Sequence, residues 1–450
     1  MDEGIVYSNV SIDIKNTYMI YVGAFKYHKI CRFFRKPLRN RYGRKVEIIY
    51  IFGSFPPSYF KGNYIVLNSK LKKLKNSSSN CYFDIGSKKL NKEASNCDYI
   101  KKLIKKILKN QKDLFIYPFK DSPELNLQKK FENVYLLGPK TNLFAKYNSK
   151  LFQHELADVL DIPQPRWFLV HSKADLIMIY SDHLKGKKAF VSKLEGAGGS
   201  GSAVINSKKD ILDHPHIKKE NCRYLVSELI DMKVSPSSEA IVANKNEIFF
   251  NGIMDQIMKG PDYLGTVYPS IVSDKLKKLI EQYTVKIGKY IGEHGYRGFF
   301  GVDFIVDKKK RLYFAEINPR TCGSTLEKVY MHEVTKKKNF PSIPELEFRA
   351  VTRNTFGSLS SKKVKKANLS WGVFNVKAKK GRITTRDVLP EFSESDAFKK
   401  LKTTTLDFPG NNVLFYHSGR LCKILSVKPT RKEVEKELKT RKKQVLQYIK

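Results

Sequence analysis

The sequence predicts a mixed α/β (α+β) protein in three parts, and three observations predict it. Short apolar, strand-like runs alternate with helix-like segments through the first third of the chain. A long amphipathic helix then leads into two apolar strands joined by a basic turn, at 295–325. Further β-like pieces and a capped helix close the chain. With 450 residues there is room for about three domains, expected at 1–137, 138–355 and 356–450.

Composition limits the function classes. Hydrophobic residues are 41% and aromatics 12%, enough for a packed core rather than wholesale disorder. No apolar run approaches the roughly 18 residues of a membrane span. The first residues, MDEGIVYSNV, lack a basic-then-apolar signal pattern, so a cytoplasmic protein without a membrane partner is expected. The six cysteines are scattered without a CxxC, which argues against a zinc site or a disulfide framework. A net charge of +40 would attract nucleic acid or another anionic surface. The lysines are spread along the whole chain without a nucleic-acid-binding motif, so a nucleic-acid partner is not the expectation.

Taken in order, 1–137 carries the strand-like runs VEIIYIFGSF, YIVLN, DLFIYPF and VYLLG. Between them, Ile100, Leu103, Ile104, Ile107 and Leu108 fall at helical spacing with lysines interspersed, as for a helix packed on a sheet. The Asn- and Ser-rich stretch 74–96 reads as a mobile loop. From 138 the character changes. Ser149 is placed to cap a helix bearing Leu151, Phe152, Leu156, Val159 and Leu160, which breaks before Pro163. The strand ending at Lys193 runs into GAGGSG, Gly196 to Gly201, which is either a plain hairpin turn or a loop whose bare backbone wraps phosphate oxygens. YLVSELI, Tyr224 to Ile230, is either an edge strand or a hinge meeting a nucleotide through Glu228. Ser273 caps a helix striped by Leu276, Leu279, Ile280, Tyr283, Ile287 and Ile291, with Gly295 as its stop.

The two strands that follow are FFGVDFIV and RLYFAEINP. Glu316, Asn318 and Arg320 are two apart and share a face, and a hairpin can set Asp303 opposite them. Alternating polar residues also occur on the wet face of an ordinary sheet. Three oxygen ligands and a guanidinium on one patch instead suit Mg²⁺ and a phosphate or carboxylate. Beyond about 355, SSKKVKKANLS reads as a basic linker, and Thr430 with Glu433 forms a capping box.

Five motifs in order, over 138–326, resemble the ATP-grasp superfamily. They are NSK with IP twelve residues on, GAGGSG, YLVSELI, GYRGFFGVDF, and EINPR with GST. Their wording is similar to the carboxylase-like and peptide-ligase branches, read here as the carboxylate–amine (amino-acid and peptide) ligase branch, and IYPFKDSPELN with VYLLGPKTN resembles the domain that precedes the grasp in such ligases. The resemblance implies an ATP-grasp fold with an N-terminal α/β domain, a lid at about 165–227 and a small C-terminal α+β appendage. It implies ATP and two Mg²⁺ ions, with Mn²⁺ as a substitute. Lys150 and Lys193 would hold the phosphates, under a loop of Gly196, Ala197, Gly198, Gly199, Ser200 and Gly201. Glu228, Leu229 and Ile230 would meet adenine and ribose, and Glu239 would lie near the nucleotide. Asp303, Glu316 and Asn318 would bind metal, with Glu316 bridging, and Arg320 would act on the transferring phosphoryl group beside Lys193 and Glu316. Leu194 departs from the family, which has proline after the second lysine.

The implied reaction is ATP-dependent joining of a carboxylate to an amine, amino acids or small peptides, through an acyl phosphate with release of ADP and phosphate. Such chemistry needs no side-chain nucleophile. The alternatives are a carboxylase-type grasp activating bicarbonate and a basic nucleic-acid-binding protein on a degenerate scaffold. A homodimer is the default oligomer.

Overall fold

The chain, as a computed structural model, is described for residues 4–73, 81–185, 187–194, 202–213, 217, 223–337, 340–359 and 368–450. Its N-terminal part is built on a six-stranded sheet in the order Ile5–Ser8, Asn63–Leu67, Val46–Phe52, Thr17–Val22, Leu114–Pro118, Val134–Leu136. Apart from the antiparallel Ile5–Ser8 edge, every pairing is parallel. Thr17–Val22 is buried at every position, as a parallel strand covered on both faces must be. The Asp98–Leu108 helix covers one face with Ile100, Leu103, Ile104 and Ile107, in keeping with their spacing.

Where the sequence suggested a loop at 74–96, the chain forms a helix at Ser87–Asn96, and residues 74–80 lie outside those described. Leu90 and Ala94, four apart, are buried against the sheet and explain the helix. Successive strands move outward in opposite directions from Thr17–Val22 and Leu114–Pro118, which are direct neighbours. Their carboxyl ends therefore flank a topological switch point, where open α/β sheets leave a crevice.

The middle of the chain carries a four-stranded antiparallel sheet in the order Ser202–Ile205, Ala189–Lys193, Tyr224–Glu228, Trp167–Val170. Tyr224–Glu228 is interior to it, not an edge, because it pairs on both sides. A nine-stranded antiparallel sheet follows, in which Leu312–Asn318 pairs with Gly298–Asp307, and Gly298–Asp307 with Pro236–Asn244. The Asp274–Glu293 helix packs on it with Ile280, Ile287 and Ile291, starts at a Ser273 cap, and stops at Gly295 with a φ of 87°.

The C-terminal part adds Ser370–Ala378, Gly419–Lys428 and Thr403–Leu406 to this same sheet, and its short strand Leu414–Phe415 pairs in parallel with Cys81–Tyr82 of the N-terminal part. The Arg431–Leu446 helix opens on the Thr430–Glu433 capping box. Most of the basic linker, 360–367, lies outside the described residues. Among those described, no helix is long and apolar enough to cross a membrane.

Candidate active site

The site forms where the switch-point crevice, the four-stranded sheet and the edge of the large sheet enclose one cleft. Its floor is the hairpin of Gly298–Asp307 and Leu312–Asn318, in which Asp303 lies directly across from Glu316, and Gly301 across from Asn318. The register slips between Asp303 and Phe304, leaving Ala315 as an extra residue on one strand. A bulge of this kind bends the strand and re-aims its side chains. The Asn318 amide donates to Asp303 Oδ2 at 3.0 Å, and Arg320 Nη2 donates to Asn318 Oδ1 at 2.9 Å. Asp303 Oδ1 and Arg320 Nε remain buried without a hydrogen-bond partner. One unused acceptor and one unused donor therefore flank Asn318.

Gly301 permits this arrangement. A Cβ there would run into Cys322 Sγ, with Ser238 O at 3.3 Å, so only glycine lets the 319–322 turn lie down across the strand. Leu312–Asn318 is the sheet's edge, and Gln153 covers it. Its side chain accepts from Ile317 N at 2.9 Å and donates to Ile317 O at 2.7 Å. That pairing seats the Lys150–Val159 helix on the strand and brings Lys150, at its first position, to Glu316. Ser149 is the N-cap residue but makes no side-chain cap bond, and Val159 is 70% exposed instead of joining the apolar face.

Charge and burial pull against each other in this floor. Burial pushes the Glu316 carboxyl up, and so does Asp303 across from it, while Lys150, Arg320 and Lys120 hold it down. Asp303 is likewise raised by burial, against the influence of the nearby Ser237 and Gln256 side chains and the charge of Arg320. Burial lowers Lys150, and Glu316 opposes that. Two carboxylates that would both ionise only at a cost are a fitting seat for a cation. The donors are all oxygen and one is unused, so the set fits a hard divalent ion such as Mg²⁺.

Glu228, Leu229 and Ile230 line the cleft at the end of Tyr224–Glu228, together with Phe190 and Ser192 of the neighbouring strand and Leu194 just past it. Lys193 is not among the lining residues. It is exposed, alternates with the cleft-lining Phe190 and Ser192, and so shares the opposite face of the strand with the buried Ala189 and Val191. Leu194 O accepts from Lys150 N at 3.3 Å, so Lys150 is what the strand end meets. Glu239 is also away from the cleft. It is 1% exposed and accepts from Thr325 Oγ1 at 3.0 Å, beneath the Thr325–Thr335 helix. The glycine loop 196–201 lies outside the described residues.

Several lining residues come from parts the motifs do not reach. Phe119 stacks on Tyr27 with ring centroids 3.5 Å apart, and the Arg320 guanidinium lies over Phe119 at 5.7 Å. Lys120 and Asp121 follow it, all three just past the carboxyl end of Leu114–Pro118. From the C-terminal part, Asn375, Lys377 and Arg420 close the far side. The available signal was a charged Lys-Asp pair at the end of a parallel strand, where ligands meet such sheets.

Residues 155–324 match the family model of the ATP-grasp domain. N5-carboxyaminoimidazole ribonucleotide synthase of Staphylococcus aureus (strain COL) is 26% identical over 134 residues, 30% of this chain. The chain spans about a third of the length of the curated relatives it matches, 34% for this one. Biotin carboxylase from Campylobacter jejuni, solved as a β,γ-ATP complex, superposes with a TM-score of 0.66 at 13% identity, covering 96% of this chain and 91% of its own. N5-carboxyaminoimidazole synthetase from Staphylococcus aureus, complexed with ADP, superposes with a TM-score of 0.60 at 14% identity over 97% and 99%. The architecture is the ATP-grasp fold, extending through the N-terminal and C-terminal parts. The chain carries an ATP-grasp domain.

Proposed function

We propose that this chain is an ADP-forming, ATP-dependent ligase that joins the carboxylate of an amino acid or small peptide to an amine. The observation that carries the reading is the meeting of Asp303, Glu316 and Asn318 with Lys150, Lys120 and Arg320 in one cleft. Acid groups and cations are alternated there as a phosphoryl transfer to a carboxylate requires.

Asp303, Glu316 and Asn318 would hold Mg²⁺, which when bound offsets the charge of the nucleotide phosphates. Glu228, Leu229 and Ile230, which line the cleft, would receive the base and ribose through backbone and carboxylate, and Lys150 bears on Glu316 in the same cleft. Arg320 keeps its Nε–H for a substrate oxygen, while Nη1 donates to Thr321 O and Nη2 to Asn318 Oδ1. A carboxylate oxygen displaces ADP from the γ-phosphorus, giving an acyl phosphate. The amine nitrogen then attacks the acyl carbon, phosphate leaves, and nitrogen gives up one proton. Walls that exclude water protect the acyl phosphate from hydrolysis.

A second reading, activation of bicarbonate by a carboxylase-type enzyme, is favoured by the names of the curated relatives and structural neighbours. The two are separated by Mg²⁺-dependent release of ADP and phosphate, measured over pairs of amino acids and dipeptides, with bicarbonate and biotin as a separate arm. Release that needs two amino compounds together, and is lost in Glu316→Gln, is the expected result. Release that needs bicarbonate instead replaces this reading with the second, and failure to bind ATP overturns both.

A further inference from the structure

The loop that follows the Leu114–Pro118 strand addresses the site with three consecutive residues. Phe119 lies under Arg320, Lys120 acts on Glu316, and Asp121 lines the same cleft. The loop is fixed in place by Asn91, itself 1% exposed, whose amide donates to Lys120 O and to Ser122 Oγ, each at 2.9 Å. Asp121 is 3% exposed. One of its oxygens accepts from Ser122 N at 2.7 Å, with the Thr141 hydroxyl close by, and the other, Oδ2, has no hydrogen-bond partner. The next residues repeat the pattern. Glu124 gives Oε1 to Lys88 at 3.3 Å but leaves Oε2 buried and unpaired, and Asn126 Oδ1 is buried and unpaired as well. All three residues line the cleft.

Three buried acceptors without donors cost free energy until something that donates several hydrogen bonds arrives. A primary ammonium group has three N–H donors and a charge that offsets Asp121, so it meets both needs at once. We infer that Asp121, with Glu124 and Asn126, forms a subsite for the ammonium group of an amino-acid substrate whose carboxylate lies toward Lys120 and Arg320. The inference rests on the ligase reading and gives it a substrate class: zwitterionic amino compounds are accepted, and the corresponding 2-hydroxy acids, which lack the ammonium, are not. Phe119, stacked on Tyr27, gives the same cleft an apolar face beside Arg320.

The test is ligand binding to the full chain with ATP and Mg²⁺, read by thermal shift and by saturation-transfer NMR. The probes are an equimolar mixture of the common L-amino acids, the matching 2-hydroxy acids, and KCl. Wild type is expected to respond to the amino acids alone. Asp121→Asn, which keeps the shape and removes the charge, is expected to weaken that response at least tenfold with ATP binding unchanged. Glu124→Gln, at a half-buried position where folding is undemanding, is expected to weaken it to a smaller degree. Equal binding of hydroxy and amino acids, an undiminished response in Asp121→Asn, a response reproduced by KCl, or no response from wild type would each overturn the subsite. Amino-acid binding without ADP release from any pair would uphold the subsite and remove only the ligase reading.

Discussion

Asp303 and Glu316 face each other across paired strands, and each has its carboxyl raised, first by burial. A carboxyl raised in the folded state contributes stability below its unfolded pKa, and that contribution is lost as pH rises through the folded value. A divalent cation bound between them removes the repulsion that appears as they ionise. The gain in melting temperature on adding Mg²⁺ should therefore grow with pH between about 5 and about 8. Melts with and without Mg²⁺ across that range check it, and the gain should be absent in Asp303→Asn. A gain independent of pH would place the ion elsewhere. The pairing of these two side chains was legible in the sequence, because strand alternation and the short turn fix which residues share a face. Lys193 was not legible in the same way. Family spacing marks it for the phosphates, whereas in the strand it alternates with the cleft-lining Phe190 and Ser192 and shares the face of Ala189 and Val191.

Among elements, the hairpin and the helix beside it depend on two contacts. Gln153 closes both backbone groups of Ile317 at the sheet edge. Gln153→Ala would leave a buried N–H and C=O without partners, so a loss of about 2 kcal/mol in urea unfolding is expected. ATP affinity should fall with it, because Lys150 is carried by the same helix. Gly301→Ala would press on Cys322 Sγ, and the turn holding Arg320 would have to lift. The single variant should lose stability and turnover together. Adding Cys322→Ala should recover part of both, which a double-mutant cycle measures as coupling between neighbours. The elements themselves were readable: the Ser273 cap, the Gly295 stop and the Thr430–Glu433 box all stand where the residues place them. The helix at Ser87–Asn96 was hidden by its Asn and Ser content, since only Leu90 and Ala94 carry the packing signal.

Over the whole molecule, the three parts of the chain are joined behind the cleft by buried ion pairs. Lys29 from the N-terminal part meets Glu394 at 2.6 Å and Asp407 at 3.8 Å. Arg420 holds Asp407 at 2.8 Å, and Lys423 holds Glu327 at 2.6 Å. Burial alone would raise Asp407, but the charges of Lys29, Arg420 and Lys423 outweigh it and hold it at about 2. A depressed carboxyl contributes stability above its unfolded pKa, lost as pH falls toward the folded value, so this contribution should fade between about pH 4 and pH 2. Asp407→Asn should cost about 3–5 kcal/mol at neutral pH, by leaving buried cations unpaired, and should flatten the acid limb of the stability curve. Denaturant unfolding from neutral to acid pH checks both. Nothing in the local sequence announces this network, because its members lie as far apart as Lys29 and Lys423. The same holds for Lys120 and Asp121. Their place in the site follows from strand order in the N-terminal sheet, which short-range patterns do not encode.

In the proposed reaction a substrate carboxylate takes the phosphoryl group before the amide forms. This order is tested most directly with amino acids carrying ¹⁸O in their carboxylates, supplied with ATP and Mg²⁺, and analysis of the phosphate released. One ¹⁸O is expected in each phosphate formed, and none when Glu316→Gln replaces the wild type. Phosphate released at the same rate without label would contradict it, as would label arriving only from ¹⁸O-bicarbonate.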